Sequence, residues 1–367
     1  MLPVTRPSLP ELAEFERLLE DIWQSRMLSN FGKYARQFEE KAQRYFSNPW
    51  TRSLVNCDLG LVLSLAALEL PEGAECLVPS FTFNSTANAV LWNRLRPVFV
   101  DVDRRTFNVD VADLERRLSP ATRAIVVTHI FGSACDVGRV LALARASNVP
   151  VVVDAAHAYG ATYRGVRIGD AGLGAYQVFS FSGTKQVTSA EGGLVACANE
   201  DLATRIEFRR AYGFQNDYVS RVLGLNGKIS EIHAALACLS VDPIEEVVAA
   251  RGRKAQRYRE ALGGVPGVRF QEHLPDCRAT YKDFAILCPR DRDLLAERLK
   301  AEGIQTKTYF RPLHRMPLFA PYRTSADDLG DTEAVADAVL CLPMFNDLGD
   351  ADIERVGQSI ARFYGCV

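Results

Sequence analysis

Between residues 53 and 200 the chain keeps changing period. Short apolar, β-branched runs alternate with segments whose apolar residues recur every three to four positions. "SLVNC" leads into "LGLVLSLAALEL", "ECLVPS" into "NSTANAVLWN", "RPVFVDV" into "DVADLERRL" and "RAIVVTHI" into "DVGRVLALARAS"; "VPVVVDAA", "AYQVFSF" and "GLVACA" follow. Strand and helix in alternation predict a largely parallel sheet covered by helices on both faces. In such sheets ligands bind at the carboxyl ends of the strands, so that is where chemistry is expected.

Beyond residue 200 the pattern turns helical, first over "NEDLATRIEFRRAYGF" and then over "KISEIHAALACLSVDPIEEVVAARGRKAQRYREAL", where Pro243 is expected to kink or break the run. Alternation returns from about residue 265 ("KDFAILCP", "RDLLAERLKAEG", "AVLCLPMF", "ADIERVGQSIARFYG"), which predicts a small α+β domain. The Gly- and Pro-bearing "GGVPGVRF" marks the junction. The expected division is an N-terminal segment over 1–30, a large domain over 31–262 and a smaller C-terminal domain over 263–367. No internal repeat or low-complexity tract interrupts it.

Charge and cysteine usage exclude several classes. Lys plus Arg number 43 against 45 Asp plus Glu, a formal net charge of −2, so no global field recruits nucleic acid or an anionic membrane. The nine cysteines (57, 76, 135, 197, 238, 277, 288, 341, 366) include no CxxC pair, and most lie in apolar runs. They read as buried free thiols in a reducing compartment, not as disulfides or a zinc or iron–sulfur site. No stretch resembles a signal peptide or approaches a membrane span, so the expected location is the cytoplasm.

Three groups fall at predicted strand ends. "VVVDAAHAYGA" ends an apolar run in Asp154, with His157 three residues on, and a carboxylate closing a buried strand is costly unless a cation meets it. "FSFSGTK" ends in Lys185, with no carboxylate close by in sequence; desolvation there depresses an amine's pKa towards its nucleophilic form. "NCDLGL" opens a helix after the first strand, and its free amides make an anion site. An imine-forming amine, a cation-seeking carboxylate and a phosphate-ready helix start are together what pyridoxal phosphate requires. Singly, each has a plainer reading as a surface lysine, a turn aspartate or an unused helix end.

Over nearly its whole length the chain resembles the DegT/DnrJ/EryC1/StrS family of sugar aminotransferases, which have the aspartate aminotransferase type fold (fold type I). The resemblance rests on "FGKYARQFEEKAQRYF", "VPSFTFNSTANAVLWNRLRPVFVDVDRRTFNVD", "AIVVTHIFGSACDV", "VVDAAHAYGATYRGVRIGDAGLGAYQVFSFSGTKQVTSAEGG", "LGLNGKISEIHAAL" and "YFRPLHRMPLF". It implies an α/β large domain with a mostly parallel central sheet, a smaller C-terminal α+β domain, and pyridoxal 5'-phosphate as cofactor. By match to the family's motifs, Lys185 is the lysine that holds the cofactor aldehyde, Asp154 the partner of its pyridine nitrogen and Phe83 the aromatic stacked on its ring. His157 flanks the ring near its 3-hydroxyl, with a satisfied structural histidine as the even alternative. Ser180 matches a hydroxyl near the phosphate, and Asn226 an asparagine that reaches the phosphate of the partner subunit's cofactor, which implies a homodimer with shared active sites.

Two positions depart from the family. Asp58 stands where Thr or Ser is usual, and an ionised carboxylate would repel a phosphate; the expectation is that Asp58 caps the helix, leaving the phosphate to the Leu59 amide, Ser180 and Asn226. Ser182 replaces a frequent histidine. Relatives with histidine in place of the lysine resemble dehydratases, so Lys185 favours transamination. The resemblance implies L-glutamate as amino donor and a nucleotide-linked keto sugar as acceptor, a 4-keto-6-deoxyhexose giving a 4-amino-4,6-dideoxy sugar. Sugar contacts are expected from Asn30, Phe31, Lys33, Tyr309 and His314, each of which could equally be loop packing or surface, with Arg221 and Lys228 as further candidates for the diphosphate. The alternatives are a cyclitol (keto-inositol) aminotransferase and a non-catalytic cofactor-binding sensor or structural relic. A nicotinamide-binding reading fails because no strand is followed by G-x-G-x-x-G.

Overall fold

A computed structural model describes residues 1–214, 217–323 and 328–366; Gln215 and Asn216, in the stretch 210–236 whose resemblance to makers of 4-amino-4,6-dideoxy sugars more than to cyclitol enzymes supports the expected acceptor, lie outside the described residues. Helices α1 (Leu12–Ser25) and α2 (Lys33–Phe46) precede the alternating region β1 (Thr51–Leu54), α3 (Cys57–Ala66), β2 (Glu75–Pro79), α4 (Asn84–Trp92), β3 (Arg96–Val100), α5 (Val111–Arg117), β4 (Thr122–Thr128), α6 (Val137–Ala146) and β5 (Val151–Asp154). A short hairpin of β6 (Thr162–Tyr163) and β7 (Val166–Arg167) leads to β8 (Tyr176–Ser180), β9 (Gly193–Cys197) and α7 (Glu200–Arg210). Then come α8 (Glu231–Val241), α9 (Ile244–Leu262), β10 (Arg269–Phe270), β11 (Phe284–Leu287), α10 (Arg292–Ala301), α11 (Gly330–Ala338), β12 (Val339–Leu342) and α12 (Asp350–Phe363). The break expected at Pro243 falls between α8 and α9.

The seven-stranded sheet has the order β1-β9-β8-β5-β4-β2-β3, with β9 antiparallel to both neighbours and the other pairings parallel. The unbroken apolar strands follow from burial on both faces. Val151 and Val153 join Ile125, Val127 and Phe179 in one apolar cluster with Phe38, Phe46 and Ala234, while Val152 joins Ala124, Val126 and Val178 in a second with Leu61, Val90 and Ile206. A two-residue period therefore sends alternate side chains to opposite helix layers. The antiparallel sheet β10-β11-β12 gathers a third cluster that includes Ile286, Leu299, Leu340 and Ile360, together with Leu2. Helix α9 serves two clusters: Ile244 and Val248 pack in the first, Ala255, Tyr258 and Leu262 in the third.

Seven of the nine cysteines are buried, Cys277 is half-buried and Cys366 is exposed, so the buried-thiol expectation holds for all but those two. Among the described residues no group of His, Cys, Asp or Glu could hold a metal ion, and no helix is long and apolar enough to cross a membrane.

Candidate active site

Strand order reverses between β2 and β4, and the loops leaving the carboxyl ends of β2, β4, β5 and β8 converge there on a cavity of about 460 Å³. Asp154, the last residue of β5, reaches it from the sheet. Its Oδ2 accepts the Thr86 hydroxyl at 2.7 Å and its Oδ1 accepts the Ala156 amide at 3.1 Å. Because Thr86 spends its one proton on Asp154, its oxygen, 2.9 Å from the Thr82 oxygen, must accept from Thr82. No lysine, arginine or histidine among the described residues lies within ion-pair distance of this carboxyl. Burial pushes its pKa up, against the two hydrogen bonds and the more distant charge of Lys185.

Lys185 sits in the loop between β8 and β9, facing the same cavity. Polar side chains around it satisfy backbone carbonyls of this loop and of the segment after β5. Thr188 Oγ1 donates to the Phe181 carbonyl at 3.0 Å, Ser189 Oγ to the Glu191 carbonyl at 3.0 Å, and Gln186 Nε2 to the Tyr159 carbonyl at 2.8 Å. A Cβ on Gly193 would meet the backbone of Asn56 at 2.6 Å, so this glycine lets the start of α3 lie against β9 and places that helix end at the cavity. Burial, then the charge of Lys282, lowers the Lys185 pKa to about 8.

At the start of α3 the cap is Asn56, not Asp58: Asn56 Oδ1 accepts the Leu59 amide at 2.8 Å. The Leu59 amide is thus already engaged, contrary to its expected use for phosphate. Helical geometry leaves the amides of Cys57 and Asp58 without intrahelical acceptors instead. Asp58 is exposed in the first turn, where a carboxylate is favoured by the helix dipole, and lines the cavity.

Of the other expected residues, Phe83, His157, Ser180, Ser182 and Tyr309 line the cavity with Asp154 and Lys185. Phe83 is 57% exposed, leaving its ring open to a stacking partner. The His157 ring runs parallel to those of Phe131 and Phe310, with centroids 6.5 Å and 6.2 Å away, and burial holds it neutral, well below the usual histidine range.

Seven expected residues lie elsewhere in the chain. The Phe31 ring packs under the Arg210 guanidinium at 4.2 Å, Lys33 pairs with Asp21 at 2.9 Å, and Asn30 neighbours them outside the cavity lining. Asn226 Oδ1 accepts from Lys228 Nζ at 2.7 Å, and Arg221 pairs with Asp217, both away from the cavity. His314 is buried behind the wall: its Nε2–H faces Glu333 at 3.1 Å, so its Nδ1, 2.7 Å from Ser80 Oγ, accepts the serine proton.

Sequence reasoning missed Thr86, Phe310, Glu191 and the adjacent pair Lys282–Asp283, all of which the fold brings to the site. Thr82 and Thr86 stand one helical turn apart, a spacing that hints at a shared partner but does not name it. Lys282 and Asp283 precede β11 in the other sheet, and nothing local in "YKDF" points towards Lys185.

A family model for the DegT/DnrJ/EryC1/StrS aminotransferase family matches residues 11–361. The chain belongs to this family. It is 32% identical over 361 residues to a dTDP-4-amino-4,6-dideoxy-D-glucose transaminase of Escherichia coli, covering 97% of this chain and 96% of that one. It is 34% identical over 336 residues to a GDP-perosamine synthase of Caulobacter vibrioides, covering 90% of each. The solved structure of DesI, studied in the presence of its TDP-sugar product, superposes with a TM-score of 0.91 at 34% identity, over 100% of this chain and 94% of that one.

This DegT/DnrJ/EryC1/StrS chain is therefore an aminotransferase of the pyridoxal-phosphate-dependent type. Its own residues fit that cofactor. A buried carboxyl without a cationic partner suits a protonated ring nitrogen, and a buried amine with a lowered pKa suits an aldehyde. Ser180 and the open amides of α3 suit a phosphate, with Asp58 as the one discordant charge.

Proposed function

We propose that the chain moves the amino group of L-glutamate onto a nucleotide-linked 4-keto-6-deoxyhexose, giving a 4-amino-4,6-dideoxy sugar. The observation that carries this reading is the pairing, across one cavity, of an uncompensated buried Asp154 with a desolvated Lys185. The names of the Escherichia coli and Caulobacter relatives support the acceptor class.

Bound there, pyridoxal phosphate supplies the aldehyde carbon that carries nitrogen from donor to acceptor and a ring that takes up the electron pair left by a departing α-proton. Asp154 would hold the ring nitrogen's proton, and the Thr82–Thr86 relay with the Ala156 amide fixes the orientation of that carboxyl. Lys185 would hold the cofactor's aldehyde and, as a free amine, would carry the proton removed from the donor's α-carbon. A pKa of about 8 leaves about a tenth of a free amine neutral at pH 7, which suits both taking and returning a proton. Phe83, Tyr309 and Phe310 line the cavity and limit water there. Asn226, Lys228 and Arg221 point to a second subunit, because they miss their own cavity while Leu223 and Tyr218 beside them are 88% and 83% exposed, apolar surface that a homodimer would cover.

The test is a panel of nucleotide-linked keto sugars and keto-inositols offered with glutamate to the cofactor-loaded protein, with products read by mass and NMR. Amination of a 4-keto-6-deoxyhexose by the natural chain, absent in Lys185→Ala, is expected. Turnover of a keto-inositol alone defeats the acceptor assignment, and full activity of Lys185→Ala defeats the mechanism.

A further inference from the structure

Lys282 and Asp283 form a buried ion pair on the cavity wall, with side chains 3% and 2% exposed and Nζ 3.1 Å from both carboxylate oxygens. The backbone beneath them is stiff. The Lys282 amide donates to the Phe131 carbonyl at 3.0 Å, and the buried Arg251 donates to the carbonyls of Tyr281 at 2.9 Å and Lys282 at 3.3 Å. Among the described residues neither ionised side chain has another hydrogen-bond partner. The ammonium therefore keeps an N–H to give and the carboxylate keeps lone pairs that can accept.

Burying such a pair is commonly no better for stability than an apolar pair of the same volume, so a location on the wall of a reaction cavity calls for a ligand. The pair is neutral as a unit. A donor carboxylate or a diphosphate approaching Lys282 would also meet Asp283, and the attraction to one largely cancels against the repulsion from the other. A neutral molecule that both accepts and donates gains from both halves, and adjacent hydroxyls have that character. Lys282 also lies within electrostatic reach of Lys185 and His157, which line the same cavity.

Resting on the sugar acceptor proposed above, we infer that Lys282 and Asp283 read the vicinal C2 and C3 hydroxyls of the hexose and so set which keto sugars are accepted. Lys282 donates to one hydroxyl oxygen and Asp283 accepts the proton of its neighbour.

The experiment measures binding of the nucleotide-linked 4-amino-4,6-dideoxyhexose, and of its 2-deoxy and 3-deoxy analogues, to the holoenzyme by calorimetry. It is repeated on the double variant Lys282→Met/Asp283→Leu, which removes both charges together and leaves neither stranded. The natural chain should bind at least one deoxy analogue roughly tenfold to a hundredfold more weakly than the parent, the loss expected for hydrogen bonds to charged groups. The double variant should bind all three alike while retaining the cofactor's absorbance. Equal binding of parent and analogues by the natural chain overturns the inference. So does a double variant that keeps the discrimination, or one that only loses thermal stability. Should the double variant fail to fold, the analogue series on the natural chain still decides. Absence of any binding by the parent sugar refutes the proposed acceptor instead, and the inference with it.

Discussion

Replacing Lys185 by Met in the cofactor-free protein should raise its stability. The unfolded chain holds this amine at its ordinary pKa of 10.5, whereas burial and the nearby Lys282 ammonium lower it to about 8 in the fold. At about 1.4 kcal/mol per pKa unit, keeping the folded amine protonated costs about 3 kcal/mol at pH 7, an order-of-magnitude figure. Methionine has a similar length and no charge, so it escapes that cost. The sign with pH follows from proton counts. Between pH 8 and 10.5 the unfolded state binds more protons than the folded one, so the natural chain gains stability as pH rises through that window. The penalty is thus complete below about pH 8 and gone above 10.5. Urea unfolding of both proteins, stripped of cofactor and compared at pH 7, 8.5 and 10, measures the difference. Equal stability at pH 7, or an advantage for Lys185→Met that does not shrink with pH, would refute the claim that burial of an ammonium poises this residue.

Asp154→Asn should keep the fold and the cofactor but cut the transamination rate by about a hundredfold or more, read by stopped-flow absorbance, because a neutral amide does not hold the ring proton; an unchanged rate removes Asp154 from that role. Thr86→Val removes the 2.7 Å donor to Asp154 and leaves a buried oxygen less satisfied, which costs about 1–3 kcal/mol; cofactor affinity, titrated by fluorescence, should fall roughly tenfold, and no change would show that the relay is idle. Asp58→Thr should leave cofactor affinity equal or higher, since it takes a carboxylate away from the expected phosphate site; a sharp loss would assign Asp58 a positive function.

Periodicity along the chain was enough to place the layered sheet and its two chief reactive groups. Both are local properties: a two-residue period with apolar side chains on both faces makes a buried strand, and a polar residue closing such a run must lie at the strand's end, as Asp154 does and as Lys185 does in the loop beyond β8. Family resemblance added roles by matching motifs, and for Phe83, Ser180 and Tyr309 the fold brings the matched side chains to the cavity. Which other side chains meet there was settled by packing between distant segments. Asn56 took the cap and the Leu59 amide because the first turn of α3 offers its N3 donor to the residue whose oxygen is in reach, a choice between two neighbouring Asx side chains that composition leaves open. Lys282 and Asp283 arrive from a different sheet more than 90 residues beyond Lys185, and His314 turns inward to Ser80 and Glu333, through packing between elements. Such encounters depend on how separate layers pack, and no periodicity within a single segment records that.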